Sequence, residues 1–183
     1  MNLTEKQIKE NYIYKGKIIN LRRDDVLLPN GETAVREVVE HPGGVCVAAL
    51  TDNNEILCVK QFRYPYKEVV LEIPAGKRNG KDEDPLECGK RELKEETGAT
   101  ADEFIFLGKL YPTPGYTDEI IYMYGARGLR YGNSCPDDDE FLECEKIPLE
   151  NLVKMILSGE VTDAKTQAAV LKLKFILDNN SRL

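Results

Sequence analysis

The chain has a single histidine, His41, and five cysteines, Cys46, Cys58, Cys88, Cys135 and Cys144, with no C-x-x-C pair among them. That scarcity argues against a zinc ribbon, a zinc finger and a thioredoxin-type redox motif. An odd number of widely spaced thiols fits packed, reduced cysteines better than a disulfide framework. His41 lacks a second histidine to work with and reads as an ordinary residue of the surface or core edge. No apolar run approaches the roughly 20 residues of a membrane span. The opening stretch MNLTEKQIKENY is polar and lacks the apolar segment of a signal peptide, so a cytoplasmic protein is expected. Excess positive charge is missing too. With 25 Lys and Arg against 32 Asp and Glu, the net charge is −7. This speaks against nucleic-acid or anionic-membrane binding, though a local basic pocket for a small phosphate ligand is compatible with it. There is no internal repeat and no low-complexity segment.

What is present is one domain's worth of alternating elements. At 183 residues the chain is long enough for a sizeable core, with room for a small appendage. Residues 14–41 read as short strands about a turn at Asn30-Gly31, a strong hairpin signal. Pro42-Gly43-Gly44 separates them from two apolar runs, VCVAAL and ILCVKQF, which the pattern predicts as a buried antiparallel hairpin. Residues 74–83 read as a loop. A helix follows: Asp84 is a good N-cap, Pro85 suits the first position, Glu87 can complete a capping box and Gly98 is a good C′ stop. Leu86 and Leu93 turn one face inward, and Gly89 allows close packing. Strands resume at EFIFLGKLY, DEIIYMYGARGL and FLECEKI. Two helices close the chain: one with apolar positions 149, 152, 153 and 156, ending at Ser158-Gly159, the other from about Thr162 to Asp178. The second carries Ala164, Ala168, Leu171 and Phe175 on one stripe, with Thr162 as its cap. The fold class is mixed α/β, with strands before and after a central helix.

That helix carries GKRELKEETG, in which Glu92, Glu95 and Glu96 fall within five positions. Residues three and four apart are neighbours on a helix, so Glu92 and Glu96 share a face and Glu95 flanks it. Arg91 can pair with Glu95. One reading is a solvated, charge-laced face. The other is a site for Mg²⁺ or Mn²⁺, hard cations that prefer carboxylate and water oxygens. The preceding loop is not a P-loop, because its Gly76–Gly80 spacing is wrong and Asp82 follows Lys81.

Taken together, GKRNGKDEDPLECGKRELKEETGA resembles the signature of the Nudix hydrolases. Gly76, Glu83, Arg91, Glu92, Leu93, Glu95, Glu96, Gly98 and Ala99 match it, with one departure. Six residues rather than five separate Gly76 from Glu83, read as a one-residue loop insertion. Further stretches, among them VKQFRYPY, LEIPAGK, PTPGYTDEIIYMY and GEVTDAKTQAAV, are similar to the ADP-ribose pyrophosphatase branch of that family. The resemblance spans residues 15 to 171.

The resemblance implies an α/β/α sandwich with a mixed sheet over residues 43–183. It implies a β-rich dimerisation region over residues 1–42, and hence a homodimer. It implies metal-dependent hydrolysis of ADP-ribose to AMP and ribose 5-phosphate; GDP-mannose or another nucleoside diphosphate sugar is the alternative substrate. A non-catalytic ADP-ribose-binding regulatory module is a further alternative, and so is a structural α/β protein with a charged helix. By the resemblance, Glu92 and Glu96 are the main metal ligands. Glu95 is a third ligand or close support, and the Ala75 carbonyl is a further ligand. Arg91 and Glu83 hold loop and helix together. The general base is expected from the loop PDDDEF, as Glu140, with Asp139 next. Arg63 is the candidate phosphate contact, and Arg36 acts similarly, across the dimer. Gly115 belongs to a binding-loop turn, and Glu119 or Asp118 touches a ribose hydroxyl or a metal. Glu72 is either close to the metals or a strand-end surface charge. Tyr12, Tyr14, Tyr64 and Tyr66 read individually as packing residues, with adenine stacking as the alternative.

Overall fold

The computed structural model describes residues 2–132 and 141–179. Four strands come first: β1 (Lys6–Lys9), β2 (Tyr12–Lys15), β3 (Asn20–Leu27) and β4 (Thr33–Glu40). They form a sheet of their own. One edge of β3 takes β2 and then β1, and the other takes β4. The β3–β4 connection is the turn expected at Asn30-Gly31, where Gly31 has φ 89° and its N–H donates to Leu28 O at 3.0 Å. A bridge between Val39 and Thr117 fastens the end of β4 to the loop containing Pro114-Gly115.

The remainder is a mixed α/β assembly. It comprises β5 (Gly44–Ala49), β6 (Glu55–Arg63), β7 (Glu68–Glu72), β8 (Ala75–Lys77), α1 (Pro85–Thr97), β9 (Ala99–Leu110), β10 (Ile121–Tyr131), β11 (Leu142–Pro148), α2 (Leu149–Ser158) and α3 (Ala164–Asp178). One sheet has the order β8-β5-β10-β9, with β5 and β10 parallel, and a second has the order β11-β6-β7. The expected hairpin of β5 and β6 is therefore wrong as a pairing. The Thr51–Glu55 turn forms and Leu50 bridges Ile56, but the two strands then part into different sheets. Both are buried, as their apolar runs require. Every residue of β5 is buried, because helices cover both of its faces. Cys46 and Ala48 pack with Leu152, Ile156, Val170 and Leu173 of α2 and α3. On the other side Val45 meets Cys88, and Val47 meets Leu93, both of α1.

Helix α1 starts where its caps dictate. The Asp84 carboxylate accepts from the N–H groups of Leu86 and Glu87, Pro85 is the first residue, and Gly98 closes the helix with φ 69°. The reciprocal half of a capping box does not form; Glu87 pairs with Lys90 at 2.7 Å. A Cβ on Gly89 would stand 3.1 Å from Val45 and 3.4 Å from Val47, so glycine lets α1 approach β5 closely. Helix α3 differs from expectation in two ways. Its cap is Asp163, accepting from Thr166 N–H, rather than Thr162. Its buried stripe is Thr166, Ala169, Val170 and Leu173, while Phe175 is exposed. The helix is apolar on two sides, and the positions of β5, β9, β10 and α2 decide which one is covered. Strands β1, β2, β7 and the short β8 inside the expected 74–83 loop had no clear signal of their own.

Candidate functional site

The glutamates of α1 divide by depth. Glu92 and Glu96 are buried, at 7% and 4% exposure, and Glu95 is half-buried. One turn of helix aims the first two at the Ala75–Gly76 strand. The Ala75 N–H donates to Glu96 Oε2 at 3.1 Å. Gly76 is packed so closely that a Cβ there would lie 2.0 Å from the Glu92 carboxyl carbon. Glycine at 76 thus makes the seat of the Glu92 carboxylate.

Arg91 is the counter-charge. Its Nη1 is 2.7 Å from Glu92 and 2.8 Å from Glu95, its Nε faces Glu83 at 3.5 Å, and Nη2 donates to Lys77 O at 3.2 Å. Burial works against its charge, but Glu92 and the other acids outweigh this and raise its pKa. Arg91 and Glu83 therefore do tie loop to helix. The loop itself is ordered from within: the Asn79 N–H donates to Glu83 at 2.5 Å, and buried Arg78 donates to Glu83 O at 3.0 Å and to Lys81 O. Arg78 carries no local signal of this role in the sequence.

Beside Ala75 and Gly76 opens a cavity of about 360 Å³, within the range of small-molecule sites. Its walls include His41, Arg63, Ala75, Gly76, Glu119 and Lys165. Ile18, from the β2–β3 connection, brings the leading sheet to the same opening. Arg63 and Glu119 thus stand at the cavity. His41 is there too, with Nδ1 accepting from the Gly43 N–H at 3.1 Å and 3.3 Å from Glu119. Asp118 accepts the His41 N–H at 2.8 Å and pairs with Lys81 at 2.7 Å. Burial pushes the Asp118 carboxyl up, but Lys81 and the His41 amide bring its pKa below the usual value.

Glu72 is not a surface charge. It is 2% exposed and takes the Arg63 fork at 2.6 and 2.7 Å, together with the Lys165 ammonium. Lys165 is also held by Asp163 at 2.9 Å. Burial raises the Glu72 pKa, and Arg63 and Lys165 more than reverse this, so the carboxylate is held ionised. Lys165 was invisible as a site residue in the sequence, where it is one lysine of an ordinary helix start. Arg36 lies elsewhere, on β4, paired with Glu5 at 2.5 Å. Gly115 sits in the turn attached to β4, with nothing within 4 Å of its Cβ position. Tyr64 and Tyr66 do not pack internally; they are 72% and 75% exposed. Glu140 and Asp139 lie outside the described residues.

Among the described residues, no three of His, Cys, Asp and Glu converge into a ready metal cage. A hard cation that keeps several waters needs only one or two carboxylates. Two buried, oxygen-only acids packed against Ala75 and Gly76, which line the cavity, and seated where a Cβ is excluded, fit that demand.

Residues 5–39 match the model for a nucleoside diphosphate sugar hydrolase N-terminal domain. The chain is 43% identical over 175 residues to an ADP-ribose pyrophosphatase of Bacillus subtilis (strain 168), covering 94% of each. It is 41% identical over 172 residues to a methanol dehydrogenase activator of Bacillus methanolicus, covering 93% of this chain and 92% of that one. A crystal structure of an ADP compounds hydrolase superposes with a TM-score of 0.85 over the whole of both chains, at 20% identity, a likeness of fold. The NUDIX domain model matches residues 40–169, a span that holds α1, the Ala75–Gly76 strand and the cavity walls from His41 to Lys165, and the chain belongs to the NUDIX family.

Proposed function

We propose that the protein hydrolyses the diphosphate bond of ADP-ribose, or of a similar nucleoside diphosphate sugar, releasing AMP and ribose 5-phosphate in the first case. The observation that carries this is the buried Glu92–Glu96 pair set against Ala75–Gly76 at the cavity wall. Glu92, Glu96 and the Ala75 carbonyl would hold Mg²⁺ or Mn²⁺, with Glu95 as third ligand or support. When bound, such a cation neutralises diphosphate charge and makes a water more acidic.

The chain's own residues do the rest. Arg63, whose Nε–Nη2 fork is held by Glu72, offers its Nη1 to a phosphate oxygen. Glu119, which lines the cavity, meets a ribose hydroxyl, and the Gly115 turn borders the binding loop. A general base, Glu140 or Asp139, takes the proton of the attacking water. Water oxygen then bonds to phosphorus and the bridging P–O bond breaks. Arg91 acts by fixing Glu92, Glu95 and the loop. Residues 1–42 form the dimerisation region and residues 43–183 the catalytic domain. The exposed Ile8, Ile13, Tyr14 and Ile18 support an apolar contact between copies in a homodimer. Arg36 reaches the substrate across that contact. A cytoplasmic location belongs to the same reading.

The Bacillus methanolicus relative favours a second reading, in which the chain acts on a partner dehydrogenase. One assay tests the hydrolysis reading. The purified protein is incubated with Mg²⁺ and ADP-ribose, beside GDP-mannose and other nucleoside diphosphate sugars, with Glu96→Gln in parallel. Mg²⁺-dependent AMP release, lost in the variant, is the expected result. Faster turnover of another sugar keeps the chemistry and replaces the substrate. ADP-ribose bound without turnover of any compound refutes hydrolysis.

A further inference from the structure

Helix α1 supplies the carboxylates, and the five residues Glu72–Gly76, which run from the end of β7 into β8, supply the backbone they face. Those five residues are gripped from the opposite side of the sheet by the first turn of α3. Thr166 is fully buried, and its Oγ1 accepts the Ile73 N–H at 2.9 Å. Its own N–H donates to the Asp163 cap at 2.9 Å, so the hydroxyl is held in place by the same hydrogen bond that starts the helix. The neighbouring Lys165 grips the preceding residue, Glu72, and is steadied by Asp163. Two consecutive helix residues thus hold Glu72, the last residue of β7, and Ile73, which follows it.

Pro74 transmits the grip. Its ring fixes its own φ and restricts Ile73 to extended backbone. Its carbonyl accepts the Val47 N–H at 2.9 Å. The next residue is Ala75, whose N–H meets Glu96. Little slack separates the Thr166 hydroxyl from the Ala75 amide.

We infer that Thr166 is a positioning residue, and that the first turn of α3 clamps the Glu72–Gly76 segment so that Ala75 and Gly76 meet the Glu92 and Glu96 carboxylates in metal-binding geometry. This rests on the metal reading of the preceding section. Residues that orient the groups holding a metal typically cost 10–100-fold in metal affinity when changed. The Ile73 amide is buried, so loss of its acceptor leaves an unsatisfied donor that the strand can relieve only by moving.

The test uses Thr166→Val, which keeps the shape and removes the acceptor, and Thr166→Ser, which restores it. Two readouts need no substrate: Mn²⁺ affinity by electron paramagnetic resonance, and hydrogen exchange of the Ala75 amide in metal-free protein. Thr166→Val should weaken Mn²⁺ binding by about tenfold or more and speed Ala75 exchange, and Thr166→Ser should remain close to wild type in both. A folded Thr166→Val protein with wild-type Mn²⁺ affinity and Ala75 exchange overturns the clamp, as does a wild-type protein that fails to bind Mn²⁺. Should Thr166→Val not fold, Lys165→Met carries the test through the Glu72 half of the grip, with the same expected and overturning results. Failure to hydrolyse ADP-ribose, with these couplings intact, counts against the proposed substrate and leaves the clamp standing.

Discussion

Adding one methyl group to Gly76 is a sharp probe of the site. Gly76 does not need glycine for its backbone angles, since its φ is not among the positive values of the chain. Its need is space. A Cβ would stand 2.0 Å from the Glu92 carboxyl carbon and 2.2 Å from each carboxylate oxygen. Relief to an ordinary 3.4 Å contact requires a shift of about 1.4 Å. The clashing atoms are the end of a flexible side chain, so Gly76→Ala folds, with the Glu92 carboxylate rotated out of its seat. A misplacement of about 1 Å in a catalytic constellation can cost about 10²-fold, or some 2.7 kcal/mol of barrier. The assay is the rate of AMP release from ADP-ribose at saturating Mg²⁺, with thermal unfolding measured beside it. The expected outcome is a loss of about two orders of magnitude in kcat with Tm within a few degrees of wild type. A Gly76→Ala enzyme with wild-type kcat would refute the reasoning, because it would mean the carboxylate position seen here is not the one that matters.

Glu72→Gln leaves Arg63 and Lys165 without their carboxylate, and chemical denaturation should show a loss of about 3 kcal/mol. Because the folded Glu72 pKa is lowered, its contribution is present above the ordinary carboxylate value of 4.5 and disappears as pH falls through the folded value. Wild-type Tm should therefore drop more steeply below pH 4.5 than that of Glu72→Gln, and parallel curves would contradict the pairing. Burial pushes the thiols of Cys46, Cys58 and Cys88 up to about 12. Iodoacetamide at pH about 8 should leave all three unmodified in the folded protein, as read by peptide mass, since the thiolate is the reactive form; rapid labelling of any of them would show that its site opens. Leu93 of α1, fully buried against Val47 and Leu57, should cost about 2–5 kcal/mol on change to alanine, seen as a fall in Tm of several degrees.

How far such features can be read in advance depends on how local their causes are. The ends of α1 were legible because Asp84, Pro85 and Gly98 act on their own backbone neighbours. The common face of Glu92 and Glu96 was legible because helical periodicity alone fixes it. The partner of β5 was not: that strand pairs with β10, more than seventy residues later, and the short Thr51–Glu55 turn suggested β6 instead. Helix α3 offered two apolar stripes, and nothing within it says that Thr166 faces the sheet while Phe175 faces solvent. The same division runs through the site. Spacing shows that three glutamates crowd one turn, but the repulsion is answered from outside that turn as well as from within it. Arg91 answers locally, at one and four residues' distance. The Ala75 amide and the missing Cβ of Gly76 answer across the fold, and these make one face of the crowd a seat for carboxylates rather than a solvated surface. A charged helix of identical sequence against any strand with a side chain at position 76 would keep its glutamates and lose the seat, so the site belongs to the pairing of α1 with β8 and not to α1 alone.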